Sequence, residues 1–332
     1  MANNVLLLGA GFTCNWGGLS ARQMRSAIAQ RLVGDVYLER LFHQAESFET
    51  ALASVQGAYK ANPSGDEAVR LRRLQQAVTE AFGDMNKDLS RSPFEFCNDR
   101  EFSVGHYLTQ FDAIFTLNQD LFLERHYLHP HQGIVARSQN RLNGAVLAGV
   151  DMVPDNQYHG DDQPLHTFYR PSAKPSALQA RIQPIYKLHG SVNWLAGDGE
   201  QLVVMGEGKQ RTIDMHPVLK WMSGRFRESL NSPDTRLTVV GYSFTDTHIN
   251  DTIVDAWTAG GQTLRMMIVN PDGRMAVAKA NPSYGGQIPG RKMPIEEIIS
   301  FESLPQLSVT FGGKQRTHHR ELVQFLNLPW KI

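Results

Sequence analysis

With 332 residues, 41% of them hydrophobic and 20% charged, the chain can bury a large core as one large domain or two small ones. Thirty-three basic residues against thirty-three acidic ones leave no net field, which argues against a protein whose main business is holding a long phosphate backbone. Only Cys14 and Cys97 are present, which excludes a disulfide framework and a zinc site built from Cys-x-x-Cys pairs.

At the amino terminus no Lys or Arg precedes the apolar run, which is too short for a signal peptide or membrane span; a cytoplasmic location is expected. Val5 to Leu8 reads as a buried strand entering the turn Gly9-Ala10-Gly11, with a helix to follow from Trp16 through Met24. Strand, glycine turn and helix make a dinucleotide cradle, because glycine lets backbone approach a pyrophosphate and a helix start offers amide donors. The third glycine of Gly-x-Gly-x-x-Gly is missing, so a plain tight turn fits this stretch equally well, and Asp35 reads as a helix cap rather than a ribose ligand. Apolar positions from Leu38 to Tyr59 keep helical spacing; Asn62-Pro-Ser-Gly breaks that helix, and a second runs from Asp66 through Met85. Residues 35–100 thus form a helical insertion over the nucleotide edge, either as a structural cover or as a recognition surface.

The next strand, Ile114-Phe-Thr-Leu, stops in polar groups, placing Thr116, Asn118 and Asp120 at its carboxyl end; Leu121 to Leu128 suits a packed helix. Taken alone, Thr-x-Asn-x-Asp also reads as a turn capping that helix. Residues 129–181 form an irregular insertion. His126, His129 and His131 invite a metal, but no Cys or carboxylate stands at a matching spacing. Ile185 to Leu188 is a buried strand ending in His189-Gly190, and Ser191 to Leu195 opens a hairpin arm; His189 alone could equally be a structural residue. Val218 to Leu230 is helical, Leu237 to Val240 is a strand, and Gly241 to His248 begins another helix, for which Ser243, Thr245 or Asp246 could each be only a cap. Leu264 to Val269 is a strand closed by Asn270-Pro271. A closing helix is expected near His319 to Leu326, after a basic run from Lys314 to Arg320.

These elements define an α/β chain: a single domain over 1–332 with a Rossmann-like open parallel sheet, helices on both faces and a helical insertion lobe. The punctuation of its strand ends, Gly9-Ala-Gly-Phe-Thr13, Thr116-Leu-Asn-Gln-Asp120, His189-Gly190, Gly241-Tyr-Ser243 and Asn270, resembles the sirtuin family from Leu6 to about Pro271. That resemblance implies NAD as the bound nucleotide and substrate. It implies that Gly9, Ala10, Gly11 and Thr13 hold phosphates, with Gly241 and Ser243 beside them, that Asp120 holds the nicotinamide carboxamide next to Thr116, and that Asn270 meets the adenosine ribose. Asn118 would orient water or a ribose hydroxyl, and His189 would be the general base. Deacylating sirtuins usually carry a four-cysteine zinc ribbon and an Asp-Phe-Arg after the glycine motif. Both are missing, and no zinc is expected. Thr-Leu-Asn-x-Asp, Lys-Leu-His-Gly and Gly-Tyr-Ser-Phe resemble instead the zinc-free, sirtuin-like proteins of bacterial antiphage systems, which hydrolyse NAD. Members of that group act alone, with an Argonaute-like protein or with a HerA-type ATPase; a homo-oligomer with a separate partner of one of these kinds, meeting nucleic acid only indirectly, is expected here. Two alternatives stand beside this: an NAD-dependent protein deacylase, and a nucleotide-binding subunit without turnover.

Overall fold

The computed structural model describes residues 3–45, 47–63, 65–96, 104–128, 142–153, 167–173, 181–197, 201–205, 209–259, 264–273, 275–280, 299–302, 307, 311, 321–322 and 324–326. Its frame is a wholly parallel seven-stranded sheet formed by β1 (Asn3–Leu8), β2 (Ala113–Thr116), β3 (Gly144–Leu147), β6 (Ile182–Lys187), β9 (Thr235–Val240), β10 (Arg265–Asn270) and β11 (Ile299–Glu302). Across the sheet the order is β11-β10-β9-β1-β2-β6-β3. Helices flank this sheet, so its central strands are buried on both faces and are apolar in runs rather than in alternation: Val5, Leu6, Leu7 and Leu8 of β1 are all fully buried. A second, four-stranded sheet is made by β4 (Val150–Met152), β5 (Tyr169–Pro171), β7 (Gly190–Leu195) and β8 (Gln201–Val203), with β7 and β8 forming the expected hairpin.

From β1 the chain steps to β2 on one side; after β6 it returns to lay β9 on the other side. Strand order therefore reverses between β1 and β9, and a crevice opens at the carboxyl ends there. At this point Gly9 donates its amide to Val240 O at 3.0 Å and Gly11 donates to Gly241 O at 2.9 Å. The two strand-end turns touch backbone to backbone. A Cβ on Gly9 would lie 2.6 Å from Gly241 O, one on Gly11 2.8 Å from the Gly241 Cα, and one on Gly241, at φ +64°, 2.3 Å from the Phe12 amide nitrogen.

The helices around β2 in the first half of the chain are α1 (Ala10–Cys14), α2 (Ala21–Arg31), α3 (Val36–Gln44), α4 (Phe48–Ala61), α5 (Gly65–Arg91), α6 (Val104–Leu108) and α7 (Phe122–His126). Helix α2 starts at Ala21 rather than near Trp16, because Ser20 and Gln23 form a reciprocal capping box. The helical spacing between Leu38 and Tyr59 resolves into two helices, since Ser47 stops the register and caps α4 through the Thr50 amide. Asp35 caps α3 through the Leu38 amide. Helix α5 is fastened to the sheet side of the molecule: Asn86 Oδ1 accepts from the Leu121 amide at 2.9 Å, and the His126 ring meets Leu89 O at 2.7 Å.

The irregular stretch 129–181 contributes β3 to the edge of the main sheet and β4 and β5 to the smaller one; residues 129–141, 154–166 and 174–180 lie outside the described residues. Gly241 to Asp246 is a loop, not a helix start, and the helix begins at Thr247. Phe244, fully buried with φ +58°, stands where a helix cannot continue; Asn250 holds it by donating to its carbonyl at 2.6 Å. Of the closing helix, residues 321–322 and 324–325 are helical, and the basic run lies outside the described residues. No helix among the described residues is long and apolar enough to cross a membrane.

Replacing Gly241 by Ala adds a left-handed-region cost of about 1–2 kcal/mol to a clash with backbone that cannot swing aside, so Gly241→Ala should lower the urea midpoint steeply or prevent folding. Gly57, exposed in α4 with open space around its Cα, should respond oppositely: Gly57→Ala should gain about 0.5–1 kcal/mol. Equal midpoints for the two variants would remove the close-contact account of Gly241.

Candidate functional site

Because the strands are parallel, one sheet edge receives the carboxyl ends of β10, β9, β1, β2 and β6 side by side. Every residue singled out by its strand-end position lies there: Asn270 as the last residue of β10, Gly241 and Ser243 after β9, Gly9 through Thr13 after β1, Thr116 through Asp120 at β2, and His189 after β6. Thr116 is buried and accepts the Asn118 amide at 3.0 Å, a tight side-chain turn that sends the chain out of the strand. Asp120 accepts from the Phe122 amide at 3.1 Å, at the start of α7, and from the Thr13 hydroxyl at 3.0 Å. The turn after β1 and the turn after β2 are thereby joined.

Thr13, Thr116, Asn118 and Asp120 line one small pocket with Leu8, Phe12, Leu123, Glu124 and Lys187, with room for about one water molecule. Burial pushes the Asp120 carboxyl above the ordinary range, against the pull of the Lys187 ammonium. Two oxygens of this lining, the Asn118 side-chain carbonyl and Glu124 Oε2, are buried without a hydrogen-bond partner, a loss of about 1–3 kcal/mol each unless something polar fills the pocket.

Two residues of this pocket were missed by sequence reasoning. Lys187, 2% exposed, donates to Glu124 Oε1 at 2.7 Å and to the Asp120 carbonyl, so a buried ion pair braces the underside of the site. A lysine inside the apolar strand Ile185-Tyr-Lys-Leu was the available signal, since a charge there must have a buried partner.

His189 does not pair with Asn118 in this conformation. It is 3% exposed, and its Nε2 stands 3.0 Å from His248 Nε2. Burial drives the His189 imidazolium down to about pH 3, although the Asp246 carboxylate opposes this. His248 is likewise lowered by burial. Burial pushes Asp246 up, but His189, Lys209 and His248 outweigh it and leave the carboxyl below its usual range. Lys209 bridges Asp246 at 2.6 Å and Glu49 of α4 at 3.0 Å, and Asp246 has a carboxylate oxygen within 4.8 Å of the His189 and His248 ring nitrogens, so charge from the helical insertion reaches the surroundings of His189. Asp246, read from sequence as a cap residue at most, and His248, which sequence reading did not single out, are therefore the immediate surroundings of the strand-end histidine.

The remaining positions serve the fold directly. The amides of Gly9 and Gly11 are spent on β9, and Ala10 is exposed at the start of α1. Asn270 uses both ends of its amide on loops, donating to Tyr242 O at 3.1 Å and accepting from the Asp272 amide at 2.9 Å. Ser243 is exposed and shares a hydrogen bond with Thr245. His126 stacks on Phe94 at 5.4 Å and is committed to Leu89 O, while His129 and His131 lie outside the described residues.

An open parallel sheet with polar groups along this strand edge is the Rossmann-like α/β architecture, in which ligands bind at the carboxyl ends of the strands. The SIR2-like domain family matches residues 112–284, just over half of the chain and the span carrying Asn118, His189, Ser243 and Asn270, and the chain belongs to that family. Domains of this family bind NAD and are in general NAD-dependent enzymes. No curated protein matches the chain.

Removing one member of the buried pair strands the other charge, so Lys187→Met should cost about 3–5 kcal/mol, and adding Glu124→Leu should return most of it in urea unfolding. His189 yields a pH signature. Its folded proton affinity is depressed, so the unfolded chain binds the extra proton; the contribution of neutral His189 is complete above pH 6.5 and is lost as pH falls toward 3. Between those limits the wild type should lose about 1.4 kcal/mol per pH unit relative to His189→Gln. A constant difference between the two proteins over that range would show that the imidazole is not buried neutral.

Proposed function

We propose that the protein is an NAD+ glycohydrolase, cleaving the nicotinamide–ribose bond to release nicotinamide and ADP-ribose. The observation that carries this is the buried, unpartnered carbonyl oxygen of Asn118 at the NAD-binding strand edge of a SIR2-like domain. It is an acceptor suited to the hydrogen of a water or a ribose hydroxyl.

The nicotinamide ring leaves as a neutral molecule, because its pyridinium already carries the positive charge that bond breaking discharges. No strong general acid is needed, and the transition state resembles an oxocarbenium ion. An amide and a neutral imidazole suit such a site. Asn118 positions the attacking oxygen, His189 accepts its hydrogen, and Asp120 offers its remaining lone pairs to the carboxamide. Lys-acyl chemistry has less support, since only two cysteines are present and the four-cysteine ribbon of deacylating sirtuins cannot be built.

A pocket with room for one water must open to admit nicotinamide, which requires the Thr13–Asp120 bridge to part. That bridge is, in this reading, a restraint of the kind an NAD-destroying enzyme needs inside its own cell. In this reading the chain acts in bacterial antiphage defence by depleting NAD, as a homo-oligomer of low activity raised by a HerA-type ATPase or an Argonaute-like partner. Converting a mostly closed population to a mostly open one takes a differential preference of about 5 kcal/mol, within the reach of an ordinary interface.

NAD turnover, followed by product chromatography on the chain alone and with its genomic neighbours, is the direct test. Asn118→Ala and His189→Ala should each lose a hundredfold or more in rate with the fold intact. Nicotinamide release that appears only with an acyl-lysine peptide, or rates near wild type in either variant, would sink the proposal.

A further inference from the structure

His189, Asp246 and His248 each offer a ligating atom, and these atoms lie within 4.8 Å of one another. The cluster is assembled from separate parts of the fold: His189 from the end of β6, Asp246 and His248 from the loop and helix start after β9. Two imidazoles and a carboxylate are ligand types that zinc prefers, and they need no cysteine. A tetrahedral ion with bonds of about 2.0–2.1 Å to nitrogen holds its ligand atoms roughly 3.3 Å apart. The two Nε2 atoms stand at 3.0 Å, so a small parting of the rings would fit them to an ion. His189 is buried while Asp246 and His248 are partly exposed, which leaves an approach from solvent and a position for a water ligand.

We infer that this cluster is an inhibitory site for a borderline divalent transition metal, with zinc the best match. Without the ion, one Nε2–H donates to the other Nε2, so one ring presents its lone pair and the other its proton. With the ion, both Nε2 atoms direct lone pairs to the metal, and the ring that carried Nε2–H carries Nδ1–H instead. The exchange moves a proton within one ring and needs no other reactant. Resting on the glycohydrolase reading, the consequence for turnover is that the ion occupies the nitrogen through which His189 would serve the reaction.

Lys209 is the natural competitor, because its ammonium holds Asp246 at 2.6 Å and Glu49 at 3.0 Å. Removing that cation should therefore strengthen metal binding, an effect that scattered surface histidines would not show.

The test uses the full chain dialysed against a chelator, titrated calorimetrically with zinc and, for ligand geometry, with cobalt(II) by visible absorption. Expected are one zinc per chain, a tetrahedral cobalt spectrum, affinity lowered at least tenfold in His248→Gln and in Asp246→Asn, and affinity raised in Lys209→Met. Far-ultraviolet circular dichroism checks that each variant is folded, and the Asp246 and Lys209 variants decide the matter if His248→Gln is not. Zinc should also inhibit NAD cleavage, at concentrations at least tenfold higher in His248→Gln. Failure to bind stoichiometric zinc, or affinity unchanged across these variants, overturns the site. A chain that binds zinc as described yet cleaves no NAD under any condition removes the enzymatic reading and leaves the metal site standing.

Discussion

The backbone contact between the turns after β1 and β9 is the constraint on which the rest depends. Gly9 and Gly11 meet Gly241 with no space for a side chain on any of the three. This closeness puts α1 directly beside the loop that follows β9, and it brings Thr13 within reach of Asp120. From the other side of the same contact the chain runs through Tyr242 and the strained Phe244 to Asp246 and His248, which settle against His189. The polar groups of the edge are thus placed by a glycine-to-glycine packing event, and the amides that a glycine turn can offer a phosphate are partly consumed by it.

Much of this was legible because buried parallel strands are apolar runs that end abruptly. Val5–Leu8, Ile114–Leu117, Ile185–Leu188, Leu237–Val240 and Leu264–Val269 announce the five central strands, and polar or glycine residues at their ends mark one edge. What stayed hidden was of a different physical kind. The break between α3 and α4 depends on a single serine hydroxyl reaching a backbone amide, which periodicity cannot register. The loop after Gly241 was read as the start of a helix, and the positive φ at Gly241 and at Phe244 keeps it out of the helical region. Strands β3, β4 and β5 are three or four residues long and gain their pairing from distant partners, so no local pattern reveals them.

Partners of charged residues were equally invisible in one dimension. Lys187 finds Glu124 across 63 positions of sequence, and Lys209 joins Glu49 to Asp246 from two different lobes of the chain. The second of these connections gives the helical insertion an electrostatic path to the strand-end histidine. Helix α5, in contrast, is held by buried hydrogen bonds at Asn86 and Leu89 and moves with α7 if it moves at all.

The position of β1 bears on how the chain can be divided. The family match starts at residue 112, downstream of a strand that pairs with β2 on one side and β9 on the other. A fragment limited to the matched span would lack the middle of its own sheet. Two rows of unpaired amides and carbonyls would face each other across the gap, in apolar strands that water cannot comfortably solvate and that readily recruit foreign strands. The strand ending at Leu8 is in this sense the keystone of a domain whose matched span begins only at residue 112, and trimming the chain to that span would yield a sheet split at its middle and prone to aggregate.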